Sequence, residues 1–244
     1  MATCAFCGEE KQLEKVHLWS SAVLRLFGPE EPTRKVEPAV QDLCWDCVAA
    51  LTDAHAAAHD FAATYCRKEL PLGTQLHPSF APLCRWALAT AANHERATRS
   101  DNLWWKPLVG AILGREPLPD SVALLFGAWR DLNPLNHFQD RSLEAAKAMV
   151  IGSKLGSWPE LSPLLQRGWA LRVGWGVFLL LDFAPGRAED TRDALISELE
   201  GYGWVSLRAD SEITRVPFND VTSYFFQLVS DPTTPAEEYL NLGS

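Results

Sequence analysis

Hydrophobic positions in the first half of the chain follow a helical period. Apolar residues recur at spacings of three and four over residues 46–67, which predicts one amphipathic helix. Its predicted apolar face consists of Val48, Leu51, Ala54, Ala58, Phe61 and Tyr65. Two more helices are predicted, over 82–97 with Pro82 in the first turn and over 103–113 with Gly114 as the stop. The middle of the chain is therefore expected to be helical.

The pattern changes in the second half. The stretch "ALRVGWGVFLLLDF" (170–183) predicts one or two strands with a turn or bulge at Gly174 or Gly176. The stretch "AEDTRDALISELEGYG" (188–203) predicts a helix that stops at Gly201, and its predicted apolar residues are Ala194, Leu195 and Leu199.

Three further stretches are less clearly patterned. "WVSLRA" (204–209) reads as a strand, and "VTSYFFQLVS" (221–230) reads as a strand that also fits a helix. "SVALLFGAWRDL" (121–132), which Asp120 could cap, fits neither period well. The C-terminal part is therefore expected to mix helix and strand, and the fold class to be α+β.

Two CxxC pairs lie near the N-terminus: Cys4 with Cys7, and Cys44 with Cys47. Each pair places two sulfurs about one tight turn, and two pairs complete the tetrahedron that structural zinc prefers. The 36 residues between the pairs suit a two-part knuckle in which the second pair opens a helix. We therefore predict a structural Zn²⁺ bound by all four thiolates.

This arrangement resembles the zinc-bound branch of the HNH (ββα-metal, treble-clef-like) endonuclease family of bacteria and phages. The match covers residues 4–53: a first CxxC, a β-like segment with a histidine in "VHLWSSAVL", a long connection and "CWDCV" opening a helix. The helical stretches 80–97 and 108–122 also look like those that follow the motif in that family. The resemblance implies a zinc-binding HNH-like head over 1–68, followed by a helical and then α+β domain of unknown function over 69–244.

The resemblance also implies a catalytic site, and here the sequence departs from the family pattern. Such nucleases use a histidine as general base beside a divalent metal, which is held by an Asp or Glu just before the histidine and a His or Asn just after the second pair. His17 occupies the base position, but Val16 and Val48 occupy the metal-ligand positions, and "EPAVQDLC" has no Asn. Because a hard cation needs oxygen donors, we expect no divalent catalytic metal and interpret His17 as a vestigial general base.

Three functions are open at this point. The favoured one is a zinc-stabilised, non-catalytic HNH-like protein that binds a macromolecular partner; because such genes are common in phages, interference with a host factor is one form of it. The second is a metal-dependent HNH-type DNA endonuclease with a rearranged site, in which Glu14 or Asp53 joins His17. The third is a zinc protein that binds nucleic acid through the knuckle. The favoured function is not enzymatic; if the protein is an enzyme, it is an HNH-type endonuclease.

Charge favours a protein partner over DNA. The chain has 22 basic and 31 acidic residues, for a net charge of −9, and it lacks the Lys and Arg excess that displaces counterions from a phosphate backbone. No phosphate-binding loop motif is present, so no nucleotide cofactor is expected. We also expect a cytoplasmic protein with no membrane association, since no apolar run is long enough to span a bilayer and residues 2–16 contain no signal-peptide core.

For the remaining candidate residues, a structural role is favoured over a functional one. His55 and His59 are spaced to share a metal, but "HAAAH" lacks the glutamate of HExxH sites, and two surface or half-buried histidines are favoured. "NHE" (93–95) is interpreted as a polar helix face. Lone thiols on apolar helix faces, Cys66 and Cys84, are interpreted as buried small hydrophobes.

The chain has ten tryptophans, which suggests an aromatic-rich core or an interaction surface, with the core favoured. Trp104 and Trp105 could stack bases as in single-strand binders. A core or interface role is preferred for this pair, because only Lys106 beside them is basic.

Overall fold

A computed structural model of the chain describes most of the first 128 residues and the elements of the second half. The described residues are 2–17, 22–23, 26, 39–67, 70, 73–97, 103–128, 148–152, 165–173, 176–184, 186, 189–201 and 203–208. The stretch predicted as a strand or helix over 221–230 lies outside them.

The N-terminal head consists of two small β-ladders followed by two helices. Strand β1 (Ala2–Thr3) pairs antiparallel with β2 (Glu10–Lys11), and β3 (Leu13–His17) pairs antiparallel with β4 (Ala39–Cys44). Helix α1 spans Trp45–Ala49 and α2 spans Thr52–Tyr65. The single helix predicted over 46–67 is therefore two, because the N–H of Leu51 bonds the carbonyl of Val48, three residues back, and tightens the backbone there.

The helical middle is present as predicted, with one helix longer and the other shorter than expected. Helix α3 spans Phe80–Ala97, and Pro82 lies in its first turn as expected. The helix predicted over 103–113 is instead a 3₁₀ turn, Lys106–Leu108, followed by the one-turn helix α4, Val109–Ile112. Gly114 stops it with a φ of 71°, in the left-handed region that favours glycine.

The described strands of the second half form one antiparallel sheet. Its strands are β5 (Val122–Ala128), β6 (Ala148–Gly152), β7 (Leu165–Val173), β8 (Gly176–Phe183) and β9 (Val205–Leu207), in the order β6-β7-β8-β5-β9. Helix α5 (Glu189–Gly201) lies between β8 and β9 in the chain. An antiparallel sheet with separate helices confirms the α+β class.

Two sequence ambiguities are settled by the sheet. The stretch 170–183 is two strands, since Val173 of β7 pairs with Gly176 of β8. The stretch 121–132 contains β5, which pairs with β8 on one side and β9 on the other. A strand buried this way is a continuous apolar run, and periodicity alone cannot distinguish such a run from a buried helix.

One face of the sheet and the middle helices share a hydrophobic core. The ring centroid of Phe61 in α2 lies 5.1 Å from that of Phe126 in β5 and 5.4 Å from that of Phe178 in β8. Trp86 in α3 meets Phe178 edge-on at 5.3 Å. Residues from before and after position 68 thus contribute to the same core. The division at 68/69 stays a prediction.

Helix α5 contacts the opposite face of the sheet. The guanidinium of Arg192 lies 5.7 Å from the ring centroid of Phe183, and strand alternation turns Phe183 away from the side on which Phe178 lies. The helix buries Leu195 and Leu199 as predicted. Ile196 is also buried, whereas Ala194 is exposed.

Burial confirms the structural interpretation of the aromatic residues and the lone thiols. Five described tryptophans are nearly inaccessible, Trp104 and Trp105 among them, whereas Trp45 is 67% exposed. Cys66 and Cys84 are fully buried, and burial raises the pKa of the Cys84 thiol to about 12. Among the helices that the structure describes, none has the length and apolar character needed to cross a membrane.

The buried position of Leu180 in β8 generates a stability prediction. Leu180→Ala should lower the free energy of unfolding by about 2–5 kcal/mol, because it removes a fully buried side chain and leaves a cavity. The same substitution at Leu103, which is 46% exposed, should change it by less than about 0.5 kcal/mol. Urea denaturation of both variants makes the comparison, and equal losses would contradict the assigned core.

Candidate metal centre

The first cysteine pair lies in a tight turn directly after β1. The N–H of Gly8 donates to the carbonyl of Cys4 at 2.9 Å, and the N–H of Cys4 donates to the carbonyl of Glu9 at 2.8 Å. Gly8 has a φ of 75°, which glycine adopts without steric penalty. The local sequence "CAFCG" therefore forms a closed turn with Cys4 and Cys7 on it.

The second pair lies where a strand changes into a helix. Cys44 ends β4 and precedes the first residue of α1, and Cys47 lies within α1. The β3–β4 pairing places Leu13 opposite Cys44, and the N–H of Ala5 donates to the carbonyl of Asp42 at 2.7 Å. These backbone bonds bring the two pairs together, as the sequence predicted for a second pair that opens a helix.

The four sulfurs form a compact cluster. The Sγ atoms of Cys4 and Cys47 are 3.8 Å apart, those of Cys7 and Cys44 are 3.7 Å apart, and all four lie within 4.8 Å of one another. Four sulfurs at about 2.3 Å from a central zinc would lie about 3.8 Å apart in a regular tetrahedron. The spacing therefore fits a tetrahedral metal ion.

The environment of the sulfurs suits thiolates balanced by a cation. Burial acts to raise the pKa of Cys4, but backbone N–H groups of Cys7, Cys44 and Phe6 donate to its sulfur and lower the pKa to about 7. The Cys44 N–H lies 3.3 Å from that sulfur. Burial raises the pKa of Cys7 and, strongly, that of Cys47. Several thiolates in one buried cluster need a compensating positive charge, which a bound metal dication supplies.

The four cysteines could therefore hold a metal ion. Four thiolates at tetrahedral spacing are the donor set of a structural zinc site, and three of the four side chains are buried, with Cys7 half-buried. A site closed by four protein ligands leaves no position for a substrate.

A buried arginine joins this cluster to the body of the protein. Arg96, near the end of α3, donates from Nε and Nη2 to the two carboxylate oxygens of Asp42 in β4, at 2.7 and 2.8 Å. Its guanidinium lies 4.8 Å from the ring centroid of Phe6, in the first cysteine turn, and 5.7 Å from that of Trp105. Only 5% of its side chain is exposed. Sequence reasoning missed this residue, since an arginine in a polar stretch carries no signal of its tertiary partner.

The positions that correspond to catalytic residues in the HNH resemblance all lie in the head. His17 is the last residue of β3 and pairs in register with Ala39, while its side chain lies outside the described part. Val16 is buried and pairs with Val40, and Val48 is half-buried in α1. The catalytic role of His17 stays a prediction.

The alternative carboxylates belong to different elements. Glu14 is half-buried in β3 opposite Leu43, and Asp53 is exposed in the first turn of α2. Neither belongs to the cluster of metal-ligand atoms, which consists of the four cysteines.

The structure confirms the interpretation of the two histidines of "HAAAH" and corrects that of "NHE" (93–95). His55 and His59 are both half-buried, and the Nδ1 of His59 lies 3.1 Å from a carboxylate oxygen of Asp60, which confirms the structural interpretation. The polar-face interpretation of 93–95 is wrong for Asn93, which is only 2% exposed. Asn93 lies on the side of α3 that packs into the core.

The cysteine cluster predicts that zinc binding depends on Cys44, and a matched pair of cysteine variants tests this. Cys44→Ala should lower zinc affinity by more than about ten-fold, because it removes one of four ligands. Cys84→Ala, the same change at another buried cysteine, should retain one zinc per chain. Elemental analysis and competition with a chromogenic chelator measure both. Full zinc retention by Cys44→Ala would exclude the assigned ligand set.

The Arg96–Asp42 pair gives a second prediction. Arg96→Met should lower the free energy of unfolding by about 1–3 kcal/mol, because it leaves the Asp42 carboxylate without its donors. Adding Asp42→Asn should recover part of that loss, since the unpaired charge is then removed. Urea denaturation of the two single variants and the double variant gives the coupling energy, and strictly additive effects would refute the pairing.

Comparisons with known proteins found no relative of this chain. No protein-family model, no curated protein and no solved structure matches the chain. The interpretation of the centre therefore depends on its four sulfurs, their spacing and the contacts around them.

Proposed function

We propose that this chain is a zinc-stabilised, HNH-like protein without nuclease activity, which acts by binding a macromolecular partner that is a protein rather than DNA. The observation that carries the proposal is the combination of a complete tetrahedral thiol cluster with valines at the two neighbouring positions where a nuclease of this type holds its catalytic metal.

The order of elements in the head supports the HNH-like assignment. A cysteine turn at Cys4–Gly8 comes first, an antiparallel β3–β4 hairpin follows, and the second cysteine pair then opens α1. This order of elements supports the treble-clef arrangement that the sequence resemblance implies. Zinc bound to the four cysteines would contribute directly to folding, because it would link two short turns that lie far apart in the chain.

The side chains at the would-be catalytic positions support the loss of activity. Val16 is buried among apolar neighbours, and Val48 packs against the same hydrophobic cluster. A hydrocarbon side chain provides no lone pair to a hard cation and accepts no proton. His17 alone would not retain a divalent metal.

Charge supports a protein partner. The chain has nine more acidic than basic residues, so its field repels a phosphate backbone and attracts basic surfaces. If the gene is phage-encoded, as genes of the HNH family that the sequence resembles often are, the partner is a host or defence protein whose action this chain blocks.

A plasmid-nicking assay tests the absence of activity. The purified zinc-loaded protein should not nick supercoiled plasmid above background with Mg²⁺, Mn²⁺ or Ni²⁺. The reason is that Val16 and Val48 provide no oxygen donor for a catalytic metal. His17→Ala should behave identically. Metal-dependent nicking that His17→Ala abolishes would replace the proposal with the endonuclease alternative.

Binding measurements test the partner class. Full-length protein should show no salt-sensitive binding to labelled duplex DNA or single-stranded RNA at low salt, whereas affinity capture from nuclease-treated host extract should retain a protein. Tight binding to either nucleic acid with a steep salt dependence would favour the nucleic-acid-binding alternative.

A further inference from the structure

We propose that Arg96 is a positioning residue of the metal centre. From helix α3 it holds the two CxxC segments, residues 4–7 and 44–47, against each other, and it thereby sets the affinity of the four thiolates for zinc. The inference rests on the zinc-binding part of the proposed function. It adds a determinant of metal affinity that lies outside both segments, 54 residues after Asp42 in the chain.

Arg96 reaches the second CxxC segment through Asp42. Its Nε and Nη2 donate to the two carboxylate oxygens of Asp42 at 2.7 and 2.8 Å. Asp42 lies in β4, two residues before the ligand Cys44. A planar guanidinium that binds both oxygens of a carboxylate fixes the orientation of the pair as well as its distance. The end of β4, and Cys44 with it, is therefore held at a set position relative to α3.

The same guanidinium contacts the first CxxC segment. It lies 4.8 Å from the ring centroid of Phe6, which stands between Cys4 and Cys7 in the sequence. Trp105 packs against both groups, with its ring centroid 5.4 Å from that of Phe6 and 5.7 Å from the guanidinium. A guanidinium over an aromatic face is attracted by the ring, and the attraction is stronger when both are shielded from water. Arg96 and Phe6 are both buried, so one side chain contacts both segments.

Stability alone does not explain a buried arginine at this place. Within the described part of the chain its third guanidinium nitrogen, Nη1, is buried and has no hydrogen-bond partner. Burying two charges costs free energy, and a buried ion pair is often no more stabilising than apolar residues of the same volume. What the pair supplies beyond an apolar contact is a fixed geometry between α3, β4 and the first segment.

Contacts that hold the two segments together lower the cost of metal binding. The cysteine pairs are separated by 36 residues, so closing that loop around a metal has an entropic cost. Two hydrogen bonds already join the segments: the N–H of Ala5 donates to the carbonyl of Asp42 at 2.7 Å, and the N–H of Cys44 lies 3.3 Å from the Sγ of Cys4. The apparent affinity rises in proportion to the fraction of metal-free chains in which the segments are together. Arg96 increases that fraction.

Zinc affinities of full-length variants test the inference. The chains are titrated with Zn²⁺ against a chromogenic chelator, and the visible absorption spectrum of bound Co²⁺ reports the coordination geometry. Arg96→Met should lower zinc affinity about 10- to 100-fold, the usual range when a group that orients metal ligands is lost. The Co²⁺ spectrum should remain that of a tetrahedral thiolate site, because all four cysteines are retained. Arg96→Lys, which retains the charge but not the two-pronged bond, should have an intermediate affinity.

Two control variants separate positioning from overall stability and from local charge. Leu180→Ala, at a buried side chain of β8, should destabilise the fold but change zinc affinity by less than about two-fold. Lys11→Ala removes another cation near the centre, one that lies 2.6 Å from both Glu9 and Asp46. Because these ion pairs are exposed, zinc affinity should again change by less than about two-fold. Near-UV circular dichroism checks that each metal-free variant is folded.

Hydrogen exchange gives a readout that a merely structural role would not move. Coupling between two equilibria is reciprocal, so zinc should in turn stabilise the contacts of Arg96. In the parent chain, zinc loading should slow amide exchange over residues 93–97 at the end of α3. In Arg96→Met that slowing should be absent, although zinc at saturating concentration still slows exchange in the two CxxC segments. Mass spectrometry of peptic fragments measures both regions.

Three results would overturn the inference: a zinc affinity of Arg96→Met within about two-fold of the parent, equal losses of affinity in Arg96→Met and Leu180→Ala, or no effect of zinc on exchange in α3. If Arg96→Met does not fold, Asp42→Asn decides instead. It retains the shape of the side chain and weakens the bonds from Arg96, so it should lower zinc affinity several-fold, and an unchanged affinity would overturn the inference. A parent chain that binds no zinc would refute the proposed zinc-stabilised function itself. Equal zinc binding by the parent and Arg96→Met would refute only the role of Arg96.

Discussion

The head of this protein depends on the meeting of two cysteine pairs that 36 residues separate in the chain. The short strands β1 and β2 and the five-residue α1 are too small to be stable alone. Four sulfurs within 4.8 Å of one another could hold a metal ion, which would link these short elements. Tertiary contacts decide the positions between the cysteines of each pair: Phe6 is buried against Trp105 and Arg96, whereas Trp45 is exposed.

The body of the protein is coupled to this centre by contacts of two kinds. Aromatic packing joins Phe61 of α2 to the sheet, and the buried Arg96 joins α3 to β4 through Asp42. Asp42 also accepts the N–H of Ala5 in the first cysteine turn. Asp42 therefore connects the first cysteine turn to α3. We expect a change in the conformation of that turn to affect the position of α3.

The helix over 80–97 and the strand character of 170–183 were predictable from their local hydrophobic patterns, but the sequence left open whether 170–183 is one strand or two. The failures have specific causes. Strand β5 is buried between two neighbours, so it lacks the alternation of a half-exposed strand. The helix predicted over 46–67 is interrupted at Leu51, where the backbone N–H bonds the carbonyl of Val48. The amino-acid composition gives no sign of this hydrogen bond. The face of α5 includes Ile196 and excludes Ala194, because contact with the sheet selects among apolar residues that propensity treats alike.

The sequence by itself determined the four cysteines that could hold a metal ion and the absence of oxygen donors at positions 16 and 48, because ligand chemistry is a property of the residue and a CxxC turn is local. Only the tertiary structure decided which polar and aromatic residues are buried. It placed Trp104 and Trp105 inside, Trp45 outside, and Arg96 between Phe6 and Asp42. The burial of these side chains depends on contacts between segments that are far apart in the chain, and a local sequence pattern cannot predict such contacts.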